Sequence, residues 1–169
     1  MKVLEAWQSR PAEEANHFNP AFCGALVYEF CRSYEKAKGT RAPIILPYCA
    51  LPIALHSETR HLLPRSTVTG MFAWLELTPK VRVGFSDRAK SLAPYIREAL
   101  LFSFARGVLN AELDATIVLG KKRASFGEKF LESSTEEVRQ IVEATRMIGR
   151  WFAAAGHEST VMAAWGVKP

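Results

Sequence analysis

Cysteine is scarce in this chain of 169 residues, and none of it sits in a metal-binding or disulfide pattern. Cys23, Cys31 and Cys49 are an odd number without a CxxC pair, so no zinc spacing is present. On a helix, Cys23 and Cys31 would stand about 12 Å apart along the axis, too far for a disulfide. All three read as small buried hydrophobes. Long apolar runs are also missing. The longest, Ala42 to Leu55, is interrupted by Pro47 and Pro52 and falls short of the roughly 20 residues a membrane span needs. The opening "MKVLEAWQSRPAEEA" has no signal-peptide core, which points to a cytoplasmic protein. There is no repeat and no Gly/Ser linker, so residues 1–169 are expected to form a single domain. The glycine-rich phosphate loop is absent too: "GKKRASFG" lacks the GK[ST] ending that cradles phosphate.

What is present is apolar bulk. Hydrophobic residues make up 49% of the chain and include ten phenylalanines, enough for one core. A net charge of +5 hints only weakly at an anionic partner. Ser9 can cap a short turn through Pro11 to His17. Asn19 followed by Pro20 then starts a longer helix that Gly39 ends. Its apolar first half marks it as the central buried helix. "APIILPYCALPIALH" reads as a buried helix distorted by proline, since two prolines would each remove a ladder bond from a strand. "RSTVTGMFAWLEL" offers Ser66 or Thr67 as a cap, with Val68, Met71, Phe72 and Leu75 on one face.

Thr78 and Pro79 predict a helix to about Leu92, and Pro94 opens another that stops at Gly107. Two short β-type runs between Leu109 and Leu119 flank Asp114. Helix, helix, turn, helix and hairpin is the order of a winged helix, over approximately residues 66–123. Ser134 with Glu137 makes a capping box for an amphipathic helix over 134–155, and "ESTVMAAWGVKP" should dock on the core. Phe22, Leu26, Phe30, Phe85, Leu100, Phe104, Ile141, Ile148 and Trp151 are the expected core. The fold class is mainly α with a small β-hairpin, a single domain with a winged-helix-like arrangement in its middle to C-terminal part.

The densest polar stretch is "LPIALHSETRHLLP". His56 and His61 are five apart, about 140° around a helix, so they share no metal-binding face. Ser57 as cap and Glu58 in the first turn account for two more of its polar residues. Arg60 and His61 remain as exposed positions suited to a partner. No nucleophile, carboxylate pair or ligand cluster appears elsewhere, so no catalytic residue, metal or cofactor is expected. The winged-helix reading would expose Tyr95, Arg97, Ser103 and Arg106, and place Lys121, Lys122 and Arg123 where a wing touches phosphates. Glu98 and Phe102 on that face argue against a groove helix. Trp165, close to the chain end, suits either the core or a partner.

"RPxEExxHFNPAFCGALV", "LPIALHSETRHLLP", "FSDRAKSLAPYIREALLF" and "IGRWFAAAGHESTVMAAWGVKP" together resemble the middle component of bacterial three-component ABC-ATPase systems, over nearly the whole chain. The resemblance implies a non-catalytic adaptor that couples an ABC ATPase, related to chromosome-maintenance and repair ATPases, to a variable effector protein. It implies a place in prokaryotic conflict, as antiviral defence against phage. The alternative left open by the residues is a winged-helix DNA-binding sensor or transcriptional regulator.

Overall fold

Three residues bracket the helix at the centre of the molecule. Asn19 accepts hydrogen bonds from the backbone N–H groups of Ala21 (2.8 Å) and Phe22 (3.3 Å), Pro20 begins the helix, and Gly39 closes it at φ 77°. The structure, a computed structural model, describes residues 4–167. A 3-10 turn (Trp7–Ser9) and α1 (Ala12–His17) precede that helix, α2 (Pro20–Lys38). β1 (Ala42–Pro43), α3 (Pro47–Leu55), α4 (Ser57–Leu62) and α5 (Met71–Leu77) follow. A second 3-10 turn (Pro79–Arg82) leads to α6 (Phe85–Ala105), then β2 (Leu109–Ala111), β3 (Thr116–Leu119), α7 (Glu128–Ser133), α8 (Glu136–Ala154) and α9 (Glu158–Ala164). The chain is mainly helical with one small antiparallel sheet.

α2 packs chiefly on α8 and α6, and α3 touches both of those helices. Two glycines permit the close approach. A Cβ on Gly24 would overlap the Ser103 hydroxyl of α6, and one on Gly149 of α8 would lie 2.7 Å from the Phe30 carbonyl of α2. The core draws on nearly every element, and its end is aromatic. Trp74 lies tilted against Trp151 with ring centroids 5.1 Å apart, and Phe85 meets Trp165 at 4.6 Å. Leu26, Phe30, Phe85, Leu100, Ile141, Ile148 and Trp151 are buried as expected, while Phe22 and Phe104 are half-buried at its margin.

The hairpin lies where the sequence places it, with Leu109 opposite Leu119 and Ala111 opposite Ile117. A third strand, β1, adds on the other side in the order β1-β3-β2. The helix expected over Ala42 to Leu55 therefore begins only at Pro47. Pro43 is tolerated because it sits on an edge strand, where its missing N–H removes little.

The middle of the chain departs further from expectation. Thr78 and Pro79 open only the 3-10 turn, and Gly84 at φ 67° starts a new helix. That helix, α6, continues through Pro94 to Ala105, so the two expected helices are one and no turn separates them. Pro94 deprives the Lys90 carbonyl of its helical donor, but both residues line an open surface cleft where water can replace it. Gly70, not Ser66 or Thr67, precedes α5, and its buried face is Met71, Trp74 and Leu75, with Val68 and Phe72 outside. Thr135 caps α8 one residue later than expected, accepting from Val138 N–H at 3.3 Å. α9 docks through Val161 and Met162. Met1 to Val3, Lys168 and Pro169, the two ends of stretches weighed in the sequence, lie outside the described residues. Among the described residues, no helix is long and apolar enough to cross a membrane.

Candidate partner interface

The stretch "LPIALHSETRHLLP" turns out to join two helices with no linker. α3 ends at Leu55 and α4 begins at Ser57, so no glycine is available to satisfy the last carbonyls of α3. Two guanidiniums do so instead. Arg60 donates from Nη1 to the Ala54 carbonyl at 2.9 Å, and Arg88 of α6 donates from Nε to the Pro52 carbonyl at 3.3 Å. Arg60 also pairs through Nη2 with Glu137 of α8 at 3.1 Å. The exposed Arg60 expected from the sequence is therefore buried, its side chain only 3% accessible. His61 is exposed as expected, its Nδ1 held near the Ser57 carbonyl at 2.8 Å.

The cap of α4 is His56, not Ser57. His56 has the extended backbone of a cap residue, and its Nδ1 accepts from the Thr59 N–H at 3.3 Å. His157 does the same for α9, accepting from Ser159 N–H at 3.3 Å. The two caps open the related strings HSET and HEST, a likeness that sequence reading missed. Burial, then the nearby charge of Arg88, lowers the His56 pKa and so favours the neutral ring that can accept. The polar residues that suggested chemistry thus terminate one helix and start the next.

The α6 face expected to read DNA is partly covered. Tyr95 is buried against Phe18, ring centroids 4.5 Å apart, and donates to Glu14 at 2.6 Å. Burial and that hydrogen bond push its hydroxyl up to about 12. Ser103 is buried where α6 meets Gly24 of α2. Glu98 forms a bidentate pair with Arg10 at 2.7 and 2.8 Å, which lays the N-terminal segment over α6. The physical reason is that α1 and α2 occupy the side of α6 that a free recognition helix would present. Arg97 and Arg106 remain exposed, Arg106 lying 5.2 Å over the Phe102 ring. Lys121, Lys122 and Arg123 are exposed beyond β3. Trp165 lies in the aromatic core at 1% exposure, so the core side of its two readings describes it.

One buried charge gave no sign in the sequence. Glu29, in the apolar half of α2, has no exposed side-chain surface. It receives two bonds from Arg146 of α8 at 3.0 and 2.9 Å, one from Arg32 at 2.7 Å, and the Phe126 N–H at 3.0 Å. Burial works against its charge, yet these donors prevail and hold its pKa below the ordinary value. The buried thiols go the other way. Burial raises Cys23 and Cys49 to about 12, leaving no thiolate for nucleophilic chemistry at neutral pH. Among the described residues, no cluster of three or more His, Cys, Asp or Glu is placed to hold a metal ion.

Two of the clefts open on the surface are basic and flank α4. One, of about 380 Å³, is lined by Arg60, His61, Arg65, Arg146 and Arg150 with Glu143 as a carboxylate. The other, of about 650 Å³, is lined by His56, His61, Lys80, Arg88, Val83 and the carboxylate Glu58. His61 stands between them. A family model described as the ABC-three component (ABC-3C) system Middle Component 3 matches residues 7–169. No curated protein and no solved structure matches the chain.

Proposed function

The chain belongs to the Middle Component 3 family of ABC-three component systems, and we propose that it works there as a non-catalytic adaptor joining the ABC ATPase to the effector. In this reading it acts in the cytoplasm, as part of a conflict system directed against phage. The family match carries the proposal. The local geometry supports it, because the residues that looked most like chemistry are engaged as caps and internal ion pairs. The basic clefts around His61 are the surface that suits a protein partner, since mixed apolar and cationic patches gain affinity from burial and selectivity from charge.

Co-expression with the ATPase and the third component of its own system tests this. The chain is expected to elute in a complex with at least one of them, and separate elution from both at micromolar concentration overturns the adaptor. Deleting its gene from cells that carry the system should raise phage plating efficiency to the level of cells without it.

A second reading, direct contact with DNA, keeps one favourable observation. Lys121, Lys122 and Arg123 project beyond a hairpin, with Arg97 and Arg106 exposed on α6. It would make the protein a sensor or regulator, and salt-dependent binding to duplex distinguishes it.

A further inference from the structure

Arg88 is the guanidinium whose partners do not account for it. Arg10, Arg60 and Arg146 are each set into the fold beside a carboxylate, at 2.7, 3.1 and 2.9 Å. Arg88 is half-buried, yet none of the ion pairs among the described residues includes it. Its hydrogen bonds are long, 3.3 Å to the Pro52 carbonyl and 3.4 Å to Thr59 Oγ1, and its guanidinium lies 5.3 Å over the Phe85 ring, a contact that occupies no N–H donor. A guanidinium has five N–H donors, so most of its capacity is unspent on those two acceptors. Burial destabilises its charge, and Glu58 offsets that only through space.

The cleft around it has the same bias. Lys80 lines it with Arg88, against the single carboxylate Glu58, while His56 and His61 contribute imidazoles. Its apolar part is open: Val83 is 78% exposed there, and Leu62, at the end of α4, lines it half-buried. A phosphate backbone has no use for these two side chains, whereas a peptide with an apolar residue beside an acidic one matches both features.

We propose that this cleft receives an acidic segment of a protein partner, its Asp or Glu carboxylate on Arg88 and Lys80 and an apolar neighbour against Val83 and Leu62. The proposal rests on the adaptor reading and names the surface through which it works. Arg88 supplies a planar, bidentate seat for the carboxylate and Lys80 a mobile second charge. His61, at the edge shared with the neighbouring cleft, lies where the segment would continue.

The test uses the full chain co-expressed with the two other components, as wild type, as Lys80→Glu, and as Lys80→Glu with Val83→Asp. Both changes fall on exposed residues, so melting temperatures should match wild type. Complex recovery is expected to fall at least tenfold in the double variant and less in Lys80→Glu alone. Zero-length carbodiimide cross-linking of the wild-type complex should join Lys80 to an Asp or Glu of the partner, identified by mass spectrometry. A wild-type chain that binds neither component overturns this proposal and the adaptor reading together. A wild-type complex that the double variant retains in full overturns the cleft alone. If the double variant keeps the protein complex but loses a short DNA duplex, the cleft is a phosphate site and the proposal is wrong.

Discussion

Glu29 and Arg146 meet across 117 residues of sequence, and their pairing decides how α8 sits on α2. Removing the carboxylate would leave Arg146 beside a buried acceptor gap. Glu29→Gln should cost about 3 kcal/mol, the low end for a broken buried pair because Arg146 keeps 25% of its side chain in solvent. Since the folded carboxyl lies below its ordinary 4.5, its contribution is fully present above that pH and is lost as pH falls through the lower folded value. Urea denaturation at about pH 7 and about pH 3 should show the gap between wild type and Glu29→Gln closing on acidification. A gap that stays constant would mean the charge is not what matters. Such residues were illegible in the sequence for a physical reason. Glu29 with Arg146, Arg10 with Glu98, and Arg60 with Glu137 are contacts between distant segments, and no local spacing announces them. Arg60 and Tyr95 looked exposed because helix periodicity says which face they share, not what later covers it.

At the scale of elements, legibility followed local chemistry. The cap, proline and glycine that bound α2 act through their own backbone neighbours, so the sequence stated them. The β2–β3 hairpin and the inward face of α8 were similarly local. Pro94 misled because a proline's usual effect was overridden: packing of Leu92, Ile96 and Leu100 carries α6 through it. β1 was hidden because two residues make no pattern. The approach of α8 to the α2 backbone gives a sharp expectation. A Cβ at position 149 would meet the Phe30 carbonyl at 2.7 Å and the Tyr34 nitrogen at 3.2 Å, backbone atoms that cannot rotate away. Gly149→Ala should therefore destabilise by about 1–3 kcal/mol. Gly24→Ala meets a side chain instead, so adding Ser103→Ala should recover stability in a double-mutant cycle. Trp165→Ala empties part of the aromatic core between Trp74 and Phe85, a loss of about 3–5 kcal/mol. Thermal melting measures it, and an unchanged melting temperature would return Trp165 to the surface.

Across the whole molecule, the net charge of +5 says less than where the cations stand. Arg10, Arg32, Arg60, Arg139 and Arg146 are held in pairs within the fold. Two separate groups of exposed positive charge bear on function, the α4 clefts with Lys80 and Arg65, and the hairpin end with Lys121, Lys122 and Arg123. The two sites belong to different readings, and salt separates them. If the hairpin end lies on duplex DNA, log affinity falls with log salt by about 0.9 per phosphate neutralised. Changing Lys121, Lys122 and Arg123 together to Ala would then flatten that slope by up to about 2.7, while leaving recovery of the protein complex untouched. The adaptor reading gives the opposite pattern: duplex binding by the chain alone is weak at physiological salt, and the triple change alters neither stability nor complex formation. Fluorescence anisotropy with a labelled duplex over a salt series, beside co-purification of the same variants, reads both. Tight duplex binding by the isolated wild-type chain, lost in the triple variant, would put the sensor reading ahead of the adaptor.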